Sequence, residues 1–332
     1  MEEKIDFVII WVDGSDKEWR KEKNKYAGIP DDAINGEIRY RDWDILKYWF
    51  RSVEKFAPWV NNVFFVTCGH YPKWLNLNCP KLKFVKHEDY IPSEFLPTFS
   101  SHTIELNLHR IKGLSEKFVY FNDDMFLTNY VEKTDFFENN LPKRHVGETI
   151  SNGEDYVMPY VNMTNTMIAN NNFDKRKVIK HTWKKYFSYK YGISNNIRKL
   201  CLLPFKYFSS FTDPHLPSPM LKSTFEEVWT KEDKFLKKVS SDKFRQPVAA
   251  NQWLFKIWDI CKGNYCPENY KECKYVGVTG DNYKSVADDL RKQKYKQMCL
   301  NDVDTKADFE KIKKEMNEAF ESILPEKSAF EK

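Results

Sequence analysis

The stretch KFVYFNDD, residues 117–124, places two adjacent carboxylates directly after a short apolar run. The apolar run is typical of a buried strand, and ligands bind at the carboxyl edge of a parallel sheet. Asp123 and Asp124 repel each other unless a cation or a basic partner lies close to them. Oxygen ligands of this kind favour Mg²⁺ or Mn²⁺ carrying a substrate phosphate. A solvated loop that merely ends a strand would show the same pattern.

The chain before this stretch alternates between predicted strands and predicted helices. Apolar runs predict strands at 5–12, 62–67 and 83–85, and apolar residues on one face predict helices at 43–56 and 101–111. This order predicts an α/β fold with a mostly parallel sheet and helices on both faces. The turns that follow the first and last of these strands would then lie at the same edge of the sheet.

The first predicted strand ends in the turn WVDGSD, residues 11–16. A small, flexible turn at a strand end lets backbone N–H groups approach a diphosphate, while acids contact a ribose or a metal. Asp-Gly turns are also common where no ligand binds, so the turn alone leaves both interpretations open.

A third carboxylate, Glu105, lies on the helix predicted just before the acidic strand. If that helix packs beside the end of the strand, Glu105 converges with Asp123 and Asp124. A site tolerates so much negative charge only with a divalent cation.

Polar residues in the second half of the chain are candidates for the same site. His215 lies between prolines in DPHLP, residues 213–217, and a fixed imidazole suits a general base near neutral pH. Arg245, within FRQ at 244–246, can clamp a phosphate with two hydrogen bonds. Asp302 ends the sequence CLND and adds a carboxylate. A structural histidine and a surface arginine are the alternatives.

Composition restricts the class of protein. The chain has 332 residues, of which 41% are hydrophobic, enough for a large core. Seven cysteines, an odd number, argue against a disulfide framework. No signal peptide and no apolar run of membrane-spanning length is visible, so we expect a cytoplasmic protein. A net charge of +5 and the absence of a nucleic-acid-binding motif argue against a nucleic-acid partner.

Residues 175–206 contain ten Lys or Arg and no Asp or Glu, interleaved with aromatic residues. Such a segment can contact an anionic lipid, an anionic polymer or a nucleic acid. Contact with lipid would place this protein at the inner face of a membrane. A solvated basic helical face is the alternative.

The motifs taken in this order resemble the Stealth family of sugar-1-phosphate transferases, which includes bacterial capsule phosphotransferases and the animal enzyme that tags lysosomal glycoproteins. The resemblance is carried by IDFVIIWVDGSD (5–16), RYRD (39–42), LPTF (96–99), Glu105, HRI (109–111), GLS (113–115) and NDD (122–124). The blocks around His215, Arg245 and CLND (299–302) also match, so the resemblance spans about residues 5–302.

The resemblance implies a glycosyltransferase-A-like core that binds a nucleotide sugar. It implies a UDP-hexose or UDP-N-acetylhexosamine donor and an acceptor hydroxyl on a polysaccharide or a lipid-linked saccharide. The hydroxyl attacks the β-phosphorus, UMP leaves and a phosphodiester forms. The alternative is a metal-dependent glycosyltransferase that breaks the C1–O bond and releases UDP.

The resemblance also implies roles for individual residues. Glu105 and Asp124 would hold the metal or the diphosphate, with Asp123 and Asp302 close by. His215 would deprotonate the acceptor, and Arg245 would stabilise charge on the phosphoryl group. The residues implied to contact the donor are Trp11, Asp13, Gly14, Ser15, Asp16, Arg39 and Asn122.

We therefore divide the chain into four parts. The catalytic core comprises residues 1–150 and 211–303, a basic and aromatic helical insertion occupies 151–210, and an amphipathic helix lies within 304–332.

Overall fold

The computed structural model describes residues 4–27, 41–151, 157–304 and 306–332. In chain order, the strands of this part are β1 (Ile5–Ile10), β2 (Val63–Thr67), β3 (Leu82–Lys86), β4 (Lys117–Phe121), β5 (Met125–Leu127), β6 (Phe137–Glu138), β7 (Leu141–Arg144), β8 (Ser218–Leu221), β9 (Cys266–Pro267), β10 (Cys273–Val278) and β11 (Gln297–Asp302). The α-helices are α1 (Lys17–Tyr26), α2 (Leu46–Phe56), α3 (Ser101–Leu106), α4 (Lys133–Phe136), α5 (Val157–Asn172), α6 (Lys175–Tyr186), α7 (Ile193–Leu202), α8 (Lys222–Ser241), α9 (Trp253–Lys262), α10 (Tyr283–Arg291) and α11 (Phe309–Ile323).

A five-stranded sheet with the order β3-β2-β1-β4-β8 forms the centre of the molecule. The first four strands are parallel, and β8 pairs antiparallel with β4 at one edge. The predicted α/β fold with a mostly parallel sheet is therefore confirmed. The chain runs outward from β1 to β3 and then returns to β4 on the other side of β1. The carboxyl ends of β1 and β4 thus form the topological switch point, where open α/β sheets bind ligands.

Helices cover both faces of this sheet, as predicted, because side chains alternate along each buried strand. Phe7 and Ile9 of β1 pack on the side of α2, α10 and α11, whereas Val8 packs on the side of α3, α8 and α9. All five residues of β4 are buried. A strand covered on both faces is largely apolar, which explains the hydrophobic run that follows Lys117 in β4.

A second sheet, with the order β10-β11-β5, closes over the switch point. β11 runs parallel to β10 and antiparallel to β5, which follows the acidic pair directly. The Leu300 N–H donates to the Asp124 carbonyl at 2.8 Å. This sheet was not predicted, because β10 is only partly buried and both long strands mix polar with apolar residues. A third small sheet has the order β6-β7-β9.

Two predicted helices are shorter in the structure. The helix predicted from residue 43 begins at Leu46, after Asp44 adopts a left-handed backbone with a φ of 57°. The helix predicted at 101–111 ends at Leu106 and continues as a 3₁₀ turn, Leu108–Arg110. The Asn107 amide donates to the Thr103 carbonyl at 2.8 Å, and such side-chain bonds compete with regular helical hydrogen bonds.

The insertion contains α5, α6 and α7, of which α5 and α6 contribute to a small core together with α9. Lys175, fully buried, pairs with Glu148 at 2.6 Å. Lys199 is also buried, and burial lowers the pKa of its amine to about 7. The interpretation of 175–206 as a uniformly solvated face is thus wrong for two of its ten cations. Within the described part of the chain, no helix combines the length and apolar character needed to cross a membrane.

Candidate active site

A cleft of about 930 Å³ opens at the carboxyl edge of the central sheet, between that sheet and the second one. Nine residues singled out in the sequence line it: Trp11, Gly14, Glu105, Asn122, Asp123, Asp124, His215, Arg245 and Asp302. Asp13, Ser15 and Asp16 belong to the adjoining turn, and Arg39 lies outside the described residues. The four residues to which catalytic roles were assigned therefore share one cleft.

The acidic pair lies where β4 ends. Solvent in the cleft reaches Asp123, yet the protein around it and the charge of Asp124 raise the pKa of its carboxyl group. The charge of Asp42, which also lines the cleft, raises this pKa further. Asp124 Oδ1 is buried and has no hydrogen-bond partner among the described residues. Buried carboxylate oxygens normally have partners, so an uncompensated pair of this kind is suited to a cation.

His215 faces Asp124. Its Nε2 lies 3.8 Å from Asp124 Oδ2. Burial alone would lower the pKa of the imidazole, but the carboxylates of Asp124 and Asp213 outweigh burial and raise it. The neighbouring acids therefore favour the protonated imidazolium, the form that a general base reaches after accepting a proton.

The backbone of His215 is held by a buried ion pair. His215 adopts a left-handed φ of 47°, and its N–H donates to Asp213 Oδ1 at 2.8 Å. Lys256 of α9 donates from Nζ to the other oxygen of Asp213 at 2.7 Å. The Tyr275 ring lies edge-on to the imidazole, with 5.7 Å between ring centres. These contacts fix the direction in which the imidazole points.

Glu105 lies at the inner end of the cleft, only 5% exposed, with protein partners on both carboxyl oxygens. The Gln252 N–H donates to Oε2 at 3.2 Å, and the Tyr120 hydroxyl lies 3.2 Å from Oε1. The same hydroxyl donates to Asn122 Oδ1 at 2.5 Å. Burial raises the pKa of Glu105 to about 7 against the opposing effect of these hydrogen bonds. Glu105 therefore links α3, β4 and the segment before α9.

Arg245 reaches the cleft from the segment after α8. Its Nη2 donates to Ser101 Oγ at 2.5 Å, and Ser101 also interacts with Glu105 one helical turn further along α3. The guanidinium is thus anchored at one nitrogen. A planar cation held in this way can bind phosphate oxygens through its remaining N–H groups.

The turn after β1 is ordered by its own acids. Asp13 Oδ1 accepts from the Ser15 N–H at 2.8 Å, and Asp16 caps α1 by accepting from the Glu18 and Trp19 N–H groups. His70 accepts from the Asp13 N–H at 2.8 Å, and its Nδ1 lies 3.3 Å from Asp16. The carboxylates of this turn hold the loop itself, and Trp11 and Gly14 are the residues that line the cleft.

Asp302 ends β11, and its carboxylate is paired with the guanidinium of Arg41. Arg41 donates from Nη2 and Nε to its two oxygens at 2.6 and 2.9 Å. The Trp43 indole donates to the same carboxylate at 3.2 Å. A metal at Asp302 would have to compete with this bidentate pair.

The described residues fit a bound divalent cation at the acidic pair. Asp124, His215 and Cys299 are the one described group of three potential ligands whose atoms lie within 4.8 Å of one another. Burial and the nearby Asp124 carboxylate raise the pKa of the Cys299 thiol. A soft sulfur is also a poor ligand for Mg²⁺ or Mn²⁺, which prefer oxygen. The unpartnered Oδ1 of Asp124 and the carboxylate of Asp123 remain, and such hard oxygens suit Mg²⁺ or Mn²⁺.

Several supporting residues were not predicted as parts of the site. Tyr120 was interpreted only as part of the buried strand before the acidic pair, and Lys256 was given no role. Arg41 lies within the quoted RYRD block, which was the one signal that pointed to it. Lys256 and Arg41 reach their partners from segments far apart in sequence, whereas Tyr120 contacts the nearby Glu105 and Asn122.

Conserved regions of the Stealth proteins match three parts of this chain. Region 1 matches residues 3–30, region 2 matches residues 39–145 and region 4 matches residues 288–332. Region 2 contains Glu105, Asp123 and Asp124, and region 4 contains Asp302. His215 and Arg245 lie between regions 2 and 4.

Relatives of the same length cover the whole chain. This protein is 43% identical to a capsular polysaccharide phosphotransferase, WcwK, of Streptococcus pneumoniae over 99% of this chain and 98% of that protein. It is 41% identical to a receptor polysaccharide phosphotransferase, WefC, of Streptococcus gordonii over the full length of both. An exopolysaccharide phosphotransferase, cps2G, of Lactiplantibacillus plantarum is 38% identical over 99% of this chain and 96% of that protein.

Proposed function

Since this chain belongs to the Stealth family, we propose that it transfers a sugar 1-phosphate from a UDP-sugar to a hydroxyl of a cell-surface polysaccharide or its precursor. The sugar is a hexose or an N-acetylhexosamine, UMP is released, and a divalent cation, Mg²⁺ or Mn²⁺, is required. The relatives that support this proposal are named as phosphotransferases of capsular, receptor and exopolysaccharides.

The observation that carries the proposal is the convergence of Asp123, Asp124, His215 and Arg245 on one cleft. Phosphoryl transfer depends on positioning and on neutralising oxygen charge, for which a base, a fixed guanidinium and a cation site are the required parts. The four residues come from three separated segments of the chain, so their meeting in one cleft is not a consequence of local sequence.

We assign proton transfer to His215. Its Nε2 accepts the proton of the acceptor hydroxyl as the oxygen attacks the β-phosphorus of the donor. The bond between the β-phosphorus and the oxygen bridging to the α-phosphorus then breaks, and UMP leaves with that oxygen. Asp124 Oδ2, at 3.8 Å, stabilises the imidazolium that forms.

We assign charge neutralisation to Arg245 and to the acidic pair. Arg245 binds oxygens of the transferred phosphoryl group while Ser101 fixes one of its nitrogens. Asp123 and Asp124 would hold the cation, which when bound supplies positive charge to the diphosphate. Glu105 has protein partners on both oxygens, so we assign it to positioning Ser101 and the Tyr120–Asn122 pair.

We place the donor between the turn after β1 and the acidic pair. Trp11 and Gly14 face the cleft there, and Asn122 is oriented by Tyr120. Nucleotide sugars are made inside the cell, so we propose that the reaction takes place in the cytoplasm. A lipid-linked acceptor would place it at the inner face of the membrane.

The proposal is tested by identifying the nucleotide product. The purified protein is incubated with UDP-sugars, Mg²⁺ and an acceptor oligosaccharide, and the products are followed by phosphorus NMR, with the His215→Ala variant as a control for uncatalysed hydrolysis. We expect UMP together with a new phosphodiester resonance. Release of UDP without a phosphodiester would instead identify a glycosyltransferase.

A further inference from the structure

Exposed apolar side chains are concentrated on the helical insertion. Ten of the eighteen large hydrophobic residues exposed in the described chain lie between residues 160 and 207. On α7, Ile193, Ile197 and Leu200 recur at helical spacing on one face and are 79%, 54% and 54% exposed. Phe205 and Tyr207 follow directly and are more than half exposed. Contiguous apolar surface of this kind marks an interaction site.

Buried polar contacts hold this surface in place. Lys175 donates from Nζ to the carbonyls of Leu202 and Tyr207, which brings the end of α7 and the following turn to the start of α6. Lys199 of α7 packs over the ring of Tyr191 at 4.2 Å and donates to the Val146 carbonyl. These contacts fix α7 against its neighbours, so its apolar face is exposed in the folded protein without local unfolding of the helix.

Exposed cations lie on α6, on α7 and beside Phe205. Six of the ten cations in 175–206 are exposed, and none of the six forms an ion pair with a carboxylate of the described residues: Arg176, Lys177, Lys180, Lys184, Arg198 and Lys206. Arg176, Lys180 and Lys184 recur every fourth residue along α6, beside the exposed Trp183. An apolar strip flanked by unpaired cations and aromatics is the composition of helices that lie in a membrane interface.

We propose that the face formed by α7, Phe205 and Tyr207, with the flanking cations of α6 and α7, docks on an anionic lipid surface. Aromatics and lysines alone would also suit an anionic polysaccharide, but an aliphatic strip of Ile and Leu gains nothing from a sugar chain and gains free energy in lipid. A second copy of this chain is disfavoured, because a two-fold interface would bring two cation-rich faces together.

The docking face lies close in sequence to a segment that lines the catalytic cleft. Asp213 and His215 follow Tyr207 within eight residues, and Met158 at the start of α5 lines the cleft. Docking would therefore hold the side of the cleft that carries the base close to the membrane. This inference goes beyond the proposed reaction, since binding to lipid requires neither donor nor acceptor.

The test measures flotation of the full chain with vesicles at physiological salt. We expect binding to vesicles containing phosphatidylglycerol and little binding to phosphatidylcholine alone. The double variant Ile197→Asp/Leu200→Asp and the variant Lys180→Glu/Lys184→Glu should each bind about tenfold or more weakly, because each removes apolar contact or charge attraction. Leu77→Asp and Lys234→Glu/Lys238→Glu, at exposed positions elsewhere, should bind like the unaltered chain.

Activity on a soluble acceptor is measured for every variant and should be unchanged, which shows that the variants are folded. Equal binding by the α7 variant and the unaltered chain would overturn the proposal. So would binding to soluble anionic polysaccharide but not to vesicles. A dimer that the α7 variant converts to a monomer, without vesicle binding, would assign the face to a second copy instead.

Discussion

His215 Nε2 lies 3.8 Å from Asp124 Oδ2, although the two residues come from different strand ends of the chain. The contact joins the acidic pair after β4 to the proline-bracketed segment before β8. The two oxygens of Asp124 are then distinct, since Oδ2 faces the imidazole while Oδ1 has no partner in the described chain. The carboxylate of Asp124 can thus bind a cation through one oxygen and stabilise the imidazolium of His215 through the other. Substitution of Asp124 should therefore impair both functions.

Asp124→Asn should lower kcat by about a thousandfold or more, because the variant loses a cation ligand and the charge that supports the imidazolium. The free energy of unfolding, measured in urea, should change by about 0.5 kcal/mol or less, since no hydrogen bond of Oδ1 is lost. Asp233→Asn, at a half-exposed position on α8, is the control. Normal turnover by Asp124→Asn would remove Asp124 from the site.

The Asp124→Asn variant should also shift the acidic limb of the plot of activity against pH. Catalysis requires neutral His215, and the Asp124 carboxylate raises the pKa of that imidazole despite its burial. Activity of the unaltered protein should therefore rise with pH through this raised pKa. Without the carboxylate the pKa of His215 is lower, so the rise in residual activity should be centred at a lower pH. An unchanged limb in Asp124→Asn would mean that another group titrates.

His215→Ala should lower kcat about 10²- to 10⁴-fold, the usual contribution of a general base. Binding of the UDP-sugar, measured by calorimetry with Mg²⁺, should change about threefold or less, because the base contacts the acceptor. His181→Ala, on the exposed face of α6, is the matched control and should behave normally. An unchanged rate in His215→Ala would exclude the base role.

Ser101→Ala should reduce kcat/KM by about tenfold, since it frees the guanidinium of Arg245 from its anchor. Arg245→Lys should reduce it further, by about a hundredfold, because an ammonium cannot bind two phosphate oxygens in the same plane. Ser241→Ala at the end of α8 serves as the control for loss of a hydroxyl. If Ser101→Ala were as active as the control, the anchoring contact would have no role in turnover.

Glu105→Gln should flatten the pH dependence of stability in the absence of divalent cations. Burial raises the pKa of Glu105 from 4.5 to about 7. Its stabilising contribution is therefore complete below pH 4.5 and is lost as pH rises through 7. The loss is about 3 kcal/mol, because one pKa unit corresponds to about 1.4 kcal/mol.

Urea unfolding between pH 5 and pH 8 measures this effect. The unaltered protein should become less stable relative to Glu105→Gln as pH rises, and Glu94→Gln, at an exposed position, should follow the unaltered protein. Parallel curves for the unaltered protein and Glu105→Gln would show that Glu105 keeps an ordinary pKa.

Lys175→Met should cost about 3–5 kcal/mol of unfolding free energy, because it leaves Glu148 charged and buried without its partner. Lys177→Met, two residues along the same helix and exposed, should change stability by about 0.5 kcal/mol or less. Similar stabilities for the two variants would mean that the buried pair contributes little to the insertion.

The parts of the fold that the sequence predicted well have strong local patterns. β1, β2 and β4 are buried on both faces, so their sequences are apolar except for Asp6, Thr67 and Lys117. The helices α2 and α11 carry apolar residues at helical spacing. β10 was missed because it is half-exposed and its sequence, CKYVGV, has no clear period. The early end of α3 follows from one side-chain hydrogen bond of Asn107, which periodicity does not reveal.

The site divides in the same way. Asp123 and Asp124 were found from their place after a strand, and His215 from its flanking prolines. The partners that tune them were not found, because Lys256 reaches Asp213, and Arg41 reaches Asp302, from remote segments of the chain. Likewise, two lysines of the basic insertion are buried, which composition could not indicate.

The sequence alone therefore determined the α/β class, the strand whose end carries the acids and the identity of the groups able to do phosphate chemistry. Each of these depends on a short local pattern of side chains. Tertiary structure decided that these groups meet at the switch point between β1 and β4, which of their oxygens are already bonded and which lysines are buried. Those properties arise from contacts across the folded chain, and such contacts set burial, hydrogen bonding and pKa.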